Sequence, residues 1–328
     1  MTKIKAALLG FGTVGQGVYE AIKSHQEKLQ ERLVAEVEIV AVLIKEPYKK
    51  REIDPSVLIT TNFEDILNIP DLDVVFEAIV GETPSFTYLS KAIEKGCHVI
   101  TANKVMFAKY GKLLLEKGRK KNVYVGYEAT TAGGVPIIRT ISQQLQVNDI
   151  QRVQAVLNGT SNFILTEMRE KGLSFQKALE SAQLHGYAEA DPANDIEGKD
   201  AFFKLMILSD LVFGAQPDWD AVEVEGIQHI TVEDIQAAKT QHLRYKHIAD
   251  IYRYGRTLKA SVKPVLVAPD HALYSIEGVE NAVTIYASLV DKITISGPGA
   301  GKFPTASAMI EDFVSGYQIP RYQFTLNI

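Results

Sequence analysis

Lys204 stands inside the apolar run Ala201-Phe202-Phe203-Lys204-Leu205-Met206-Ile207-Leu208. Removing an ammonium group from water is costly unless the charge is paired or used, so this lysine needs a partner or a task. Asp200 lies four residues earlier, on the same face of a helix, and offers a carboxylate at ion-pair spacing. That spacing admits two readings: a structural ion pair whose lysine stem snorkels to water, or a cation and proton donor aimed at a reacting group. Immediately upstream, Gly186–Asp200 gathers five carboxylates, Glu189, Asp191, Asp195, Glu197 and Asp200, around a turn marked by Pro192.

A second chemical signal is Gly10-Phe11-Gly12-Thr13-Val14-Gly15. Glycines at this spacing mark many tight turns, but here an apolar run precedes them and a helical pattern follows. In that setting Gly10 allows the turn, Gly12 lets backbone approach a pyrophosphate, and Gly15 permits close helix–strand packing. The helix N-terminus then supplies N–H donors to the anion. At the end of the second strand, where an acid would meet the ribose hydroxyls of NAD, the chain has Val42-Leu43-Ile44-Lys45, with Lys49, Lys50 and Arg51 downstream. This cationic stretch suits the 2′-phosphate of NADP, or is an ordinary solvated charge run. Lys104 follows the fourth strand at the carboxyl edge of the sheet, where it acts in catalysis or positions a phosphate or carboxylate.

The elements that must carry these groups alternate in the first part of the chain. Strands are predicted at 3–9, 37–44, 73–79, 97–101 and 123–127, with helical patterns from the glycine loop to about Leu33, at 84–95 and at 104–118. Such alternation predicts an α/β fold with a Rossmann-type doubly wound parallel sheet. After Gly133-Gly134-Val135-Pro136 the pattern becomes that of an α+β domain. Strand runs at 150–157, 246–254, 257–267, 281–288 and 291–296 surround a block of helices from about 160 to 240. Gly297-Pro298-Gly299-Ala300-Gly301 opens a last helix near 304–315. We therefore expect a dinucleotide-binding domain from 1–134 plus 298–328, and a substrate-binding and dimerisation domain from 135–297.

Length and composition agree with two cores: 328 residues with 46% hydrophobic content exceed the usual single-core size. With 35 basic and 40 acidic residues the net charge is −5, and no Lys/Arg block suggests a nucleic-acid footprint. The single Cys97 rules out an intrachain disulfide framework and fits a reducing compartment. No signal-peptide segment or uncharged bilayer-length span is visible, so a cytoplasmic location with no membrane partner is expected. None of the seven histidines has metal-ligand spacing, which argues against metal-dependent alcohol oxidation. His185 reads as a helix C-terminal or supporting residue.

Taken in order, G-F-G-T-V-G-Q-G-V, Thr101-Ala102-Asn103-Lys104, Glu128-Ala129-Thr130-Thr131-Ala132-Gly133-Gly134-Val135-Pro136, Asn158-Gly159-Thr160-Ser161-Asn162-Phe163, the Gly186–Lys204 segment and G-P-G-A-G followed by Pro304-Thr305-Ala306-Ser307-Ala308 resemble the homoserine dehydrogenase family over nearly the whole chain. The resemblance implies reversible NAD(P)-dependent interconversion of L-homoserine and L-aspartate 4-semialdehyde, on the route to threonine, methionine and isoleucine. It implies Lys204 and Lys104 as catalytic lysines, with Asp200 and Asp195 lining the site. Glu189 falls on the substrate amino group, Thr160 on bound substrate, and Gly186 and Tyr187 beside them. Gly10, Phe11, Gly12, Thr13, Val14, Gly15, Asn103, Lys104, Gly299 and Gly301 are expected at the dinucleotide, with Lys45 added from its place after the second strand. Main-chain carbonyls of Glu128, Thr131 and Gly133 would hold sodium or another monovalent cation, and a homodimer is implied.

Two departures stand out. Val80-Gly81-Glu82-Thr83-Pro84 occupies the place of the family's usual glycine pair, so the approach to the nicotinamide differs in detail. The chain also stops soon after the final helix, which implies a short form without the regulatory domain of many relatives. Two rival functions fit part of this pattern: another NAD(P)-dependent amino-acid dehydrogenase of similar fold, and a non-catalytic NADP-binding sensor. A sensor needs the glycine loop but has no use for Lys104, Glu189, Asp200 and Lys204 together.

Overall fold

The computed structural model describes residues 2–318 and divides into two compact units, Met1–Thr130 with Gly301–Ile328, and Thr131–Ala300. These crossings lie four and three residues from those read in the sequence. The stretch 319–328, expected in the first domain, lies outside the described residues.

The first unit is built on β1 (Lys3–Leu9), β2 (Glu36–Leu43), β3 (Leu58–Thr60), β4 (Leu72–Glu77), β5 (His98–Thr101) and β6 (Val125–Gly126). All pair in parallel, in the order β3-β2-β1-β4-β5-β6. The order reverses between β1 and β4, and an open α/β sheet binds its ligand outside the strand carboxyl ends at such a point. Helices are α1 (Thr13–Ser24), α2 (Gln26–Leu33), α3 (Phe63–Leu67), α4 (Ser85–Lys95) and α5 (Lys104–Lys121), joined by the C-terminal helix Lys302–Gln318. Strands covered on both faces must be apolar throughout, and Ile4, Leu8, Val74, Phe76 and Ile100 are buried with Val18, Ile22, Met309 and Phe313 in one core. The C-terminal helix packs on α1 at Gly17, where a Cβ would stand 2.5 Å from the Lys302 carbonyl oxygen.

One predicted helix is in fact two. The pattern expected to run to about Leu33 breaks at His25, which ends α1 and precedes α2. There the Ser24 hydroxyl folds back to donate to the Glu20 carbonyl at 2.8 Å, the competition that serine sets up at helix ends.

The second unit contains α6 (Ile137–Arg139), β7 (Ile150–Val156), α7 (Gly159–Lys171), α8 (Phe175–Leu184), α9 (Ala193–Ile196), α10 (Lys199–Phe213), β8 (Glu223–Val224), α11 (Val232–Thr240), β9 (Arg244–Tyr254), β10 (Thr257–Val267), β11 (Glu280–Ala287) and β12 (Asp291–Pro298). Its sheet runs β12-β11-β7-β9-β10-β8, antiparallel except for β8 beside β10. Helices α7, α10 and α11 all pack on β9. The β7–α7 junction, Leu157–Asn158, thus lies between the sheet and the helices that carry the acidic segment. Among the described residues, no helix is long and apolar enough to cross a membrane.

Candidate active site

In the first unit β1 ends in the glycine turn. Gly10 adopts φ +94, and a Cβ on it would stand 2.8 Å from the Ala78 carbonyl oxygen. A Cβ on Gly15 would stand 2.1 Å from the Gly10 carbonyl oxygen, so a side chain at either position would force helix and turn apart. Gly12 caps α1 with no side-chain hydrogen bond, and nothing lies within 4 Å of where its Cβ would be. The first-turn N–H groups are thus left for an anion, which fits a pyrophosphate. Thr13 begins α1 exposed, Val14 packs on the core, and the Phe11 carbonyl accepts from Gln16 Nε2 at 3.2 Å. Lys45 is exposed just past β2. Arg51 donates to the Glu46 and Lys49 carbonyls at 2.7 Å each, closing Lys45–Arg51 into a compact cationic loop.

At the carboxyl end of β4, Glu77 is completely buried. Its carboxylate accepts from Thr101 Oγ1 at 2.5 Å, Ile79 N–H at 2.8 Å and Ser85 Oγ at 3.1 Å, with Asn103 Nδ2 at 3.5 Å. Burial raises its pKa, opposed by those hydrogen bonds. Asn103 also caps α5 by accepting from Met106 N–H at 3.1 Å, and donates to the Gly81 carbonyl at 2.7 Å. Lys104, half-buried, is the first residue of that helix, so Glu77 and Asn103 fix the backbone from which it projects. Sequence reasoning gave Glu77 no role. Its signal was the one that singled out Lys204, a charge in an apolar run.

In the second unit, Lys204 and Asp200 are both buried and form an ion pair at 2.7 Å from Nζ to Oδ2. Lys204 Nζ also donates to the Leu157 carbonyl at 2.7 Å, which accepts from Asn281 Nδ2 at 3.0 Å as well. Asn158 Nδ2 donates to Asp195 Oδ1 at 2.7 Å and to Asp200 Oδ2 at 2.9 Å. Its Oδ1 caps α7 by accepting from Ser161 N–H at 2.8 Å. Ser161 Oγ donates to the Asp195 carbonyl at 2.8 Å, and Thr160 Oγ1 to the Tyr187 carbonyl at 2.7 Å.

The structure therefore brings Thr160, Tyr187, Asp195, Asp200 and Lys204 together around the β7–α7 junction. Gly186, at φ +74, turns the chain out of α8, with His185 as that helix's C-cap. Tyr187 packs edge-on to Phe163 at 5.0 Å. Glu189 is exposed, and its carbonyl accepts from Gln183 Nε2 at 3.1 Å. Gly198, at φ +86, starts α10, and a Cβ there would meet His247 Cε1 at 3.1 Å.

The loop expected to hold a cation is tightly built. Glu128 opens a 3-10 turn, Glu128–Thr130, and its N–H donates to Asp312 Oδ2 at 2.8 Å. In the second unit the Thr131 hydroxyl oxygen is buried without a hydrogen-bond partner among the described residues. Gly133 sits at φ +62, and a Cβ there would stand 2.3 Å from the Gly299 carbonyl oxygen. A Cβ on Gly299 would in turn meet Asn281 Oδ1 at 2.2 Å. Gly301, at φ +126, precedes the C-terminal helix, and its carbonyl accepts from Thr305 N–H at 3.2 Å. Among the described residues, no group of three or more His, Cys, Asp or Glu is placed to hold a metal ion.

Comparison with known proteins gives these two units a family. Residues 10–128 match the model of the homoserine dehydrogenase NAD-binding domain, and residues 136–314 match that of homoserine dehydrogenase. Homoserine dehydrogenase of Bacillus subtilis is 40% identical over 316 residues, 96% of this chain and 73% of the relative. An NAD(+)-dependent homoserine dehydrogenase of Pseudomonas canavaninivorans is 34% identical and is matched over 97% of both chains. The crystal structure of a homoserine dehydrogenase from Thiobacillus denitrificans superposes with a TM-score of 0.92 at 36% identity, over 98% of this chain and 77% of that one. With both units matched, the chain belongs to the homoserine dehydrogenase family, NAD(P)-dependent oxidoreductases that interconvert L-homoserine and L-aspartate 4-semialdehyde.

Proposed function

We propose that Lys204 is the group that stabilises charge and transfers the proton at the reacting oxygen of homoserine and the semialdehyde. The observation that carries this reading is its burial in a fixed ion pair with Asp200, under the Leu157 carbonyl. The dinucleotide, when bound, supplies or accepts the hydride. As the aldehyde is reduced, negative charge grows on its oxygen, and an ammonium already held in place favours the transition state over the ground state. Asp200 and Asp195 orient the lysine and the polar wall. The exposed Glu189 carboxylate pairs with the substrate ammonium, and Thr160, next to Gly186 and Tyr187, contacts the bound molecule. Lys104, at the start of α5, is the second catalytic lysine of this reading.

The glycine turn, from Gly10 through Phe11, Gly12, Thr13 and Val14 to Gly15, holds the pyrophosphate, with Asn103, Lys104, Gly299 and Gly301 completing the dinucleotide contacts. Lys45, in its cationic loop, gives a preference for NADP through the 2′-phosphate. Carbonyls of Glu128, Thr131 and Gly133 hold a monovalent cation. The unpartnered Thr131 hydroxyl and the left-handed Gly133 support that assignment. Exposed Tyr252 and Tyr254, on one face of β9, leave apolar surface for a homodimer, so the second unit serves substrate binding and dimerisation. The lone Cys97, free and buried, offers no intrachain disulfide and suits the reducing cytoplasm. The decisive assay follows NADPH absorbance with L-homoserine plus NADP, and with the semialdehyde plus NADPH. Turnover in both directions is expected, and none in either refutes the assignment.

A further inference from the structure

We propose that Asn158 is a positioning residue for the reaction, an amide clamp that holds Asp195 and Asp200 and thereby sets where Lys204 presents its ammonium. Its orientation is fixed by its partners. Oδ1 must face the backbone N–H of Ser161, because the reversed amide would set two N–H groups against each other there. The same reversal would turn its oxygen toward Asp195 Oδ1 and Asp200 Oδ2. Both Nδ2 hydrogens are therefore committed to carboxylates, at 2.7 and 2.9 Å.

Two acids from α9 and α10 are thus bridged by the two N–H groups of one neutral amide. Asp200 Oδ2 accepts from Asn158 and Lys204 together, so the amide determines which oxygen the lysine meets. The adjoining carbonyl of Leu157 fixes the same Nζ from the other side, and two consecutive residues at the end of β7 therefore locate the ammonium. Among the described residues, Asp200 on its own helix pairs with Lys204, Asn158 links Asp200 to Asp195 on α9, and His247 on β9 stands beside the α9–α10 turn at Gly198. The inference rests on Lys204 acting at the reacting oxygen.

The test compares Asn158→Asp, Asn158→Ser and Lys204→Ala. Aspartate and serine both cap helices, so α7 keeps its cap in the Asn158 variants while the donor to the carboxylates is lost. We expect kcat to fall by about 10- to 100-fold in both, with the Kd for NADP unchanged, because displaced reacting groups are felt in the chemical step. Asn158→Asp adds a negative charge beside Asp200. The acid limb of kcat for homoserine oxidation should therefore move to higher pH than in Asn158→Ser, which adds none.

If Lys204→Ala loses activity while both Asn158 variants keep kcat within about twofold and an unmoved pH profile, the clamp is refuted alone. A fall in kcat with no displacement of the profile in Asn158→Asp, tracking a fall in Tm, makes the Asn158 contacts structural only and also overturns the proposal. Retained kcat in Lys204→Ala refutes the underlying lysine assignment instead.

Discussion

Replacing Lys204 by Met removes the charge and keeps an unbranched apolar stem, so it isolates what the ammonium does. In the parent protein the Lys204 and Asp200 side chains are only 10% and 5% exposed, with Nζ 2.7 Å from Oδ2. Breaking a buried pair by removing one member costs about 3–5 kcal/mol, because the other charge stays buried. Here Asp200 keeps the Asn158 donor at 2.9 Å and the Leu157 carbonyl keeps Asn281 at 3.0 Å, which places the cost near the lower end. At roughly 2–4 °C per kcal/mol for a unit of this size, Tm should fall by about 6–12 °C. Adding Asp200→Asn removes the stranded charge, so the double variant should recover about 1–3 kcal/mol relative to the sum of the single losses. The same Lys204→Met variant should lose about 100-fold or more in kcat and keep its affinity for NADPH, since the glycine turn is built from other residues. Thermal denaturation, NADPH absorbance kinetics and a fluorescence titration of NADPH read the three quantities. A near-normal kcat with the expected fall in Tm would make the pair purely structural. An unchanged Tm would refute the burial argument itself.

Lys45→Ala should weaken NADP binding by roughly 10- to 100-fold, the equivalent of one charge-assisted contact of about 1.5–3 kcal/mol, and leave NAD little changed. Equal weakening of both in titrations at fixed salt would remove the basis for NADP preference. Glu189→Ala should raise KM for homoserine by about tenfold or more through the lost ammonium partner, and an unaltered KM in initial-rate assays would sink that role. His247 is buried and its pKa is pushed down from 6.5 to about 4 by desolvation. The folded state then binds fewer protons than the unfolded one between those values. The stability it carries is complete above pH 6.5 and is lost as pH falls toward 4, by about 3 kcal/mol. Tm measured across that range should drop more steeply for the parent than for His247→Gln, and parallel curves would contradict the assignment.

What the sequence determined by itself was whatever depends on neighbours along the chain. The apolar run at β1 and the glycines at its end announced a strand and a tight turn, since only glycine fits where a Cβ would stand 2.1 Å from a carbonyl oxygen. The Asp200–Lys204 pair was legible because a helix brings positions four apart onto one face. Strands β3 and β8 were not, being only 3 and 2 residues long; they are strands because β2 and β10 pair with them. The helix break at His25 was also hidden, because apolar periodicity continues through it, while the Ser24 back-bond and the non-helical His25 backbone that end α1 are visible only in the folded chain. At the site, tertiary structure decided the partners. Asn158 reaches Asp195 and Asp200 across 37 and 42 residues, Lys204 reaches Leu157 across 47, and Glu77 draws Thr101 from 24 away. Backbone geometry imposes a period that a sequence displays directly. A buried hydrogen bond between distant segments has no period, because it is set by which elements pack together and by the requirement that each polar group they bury finds a partner.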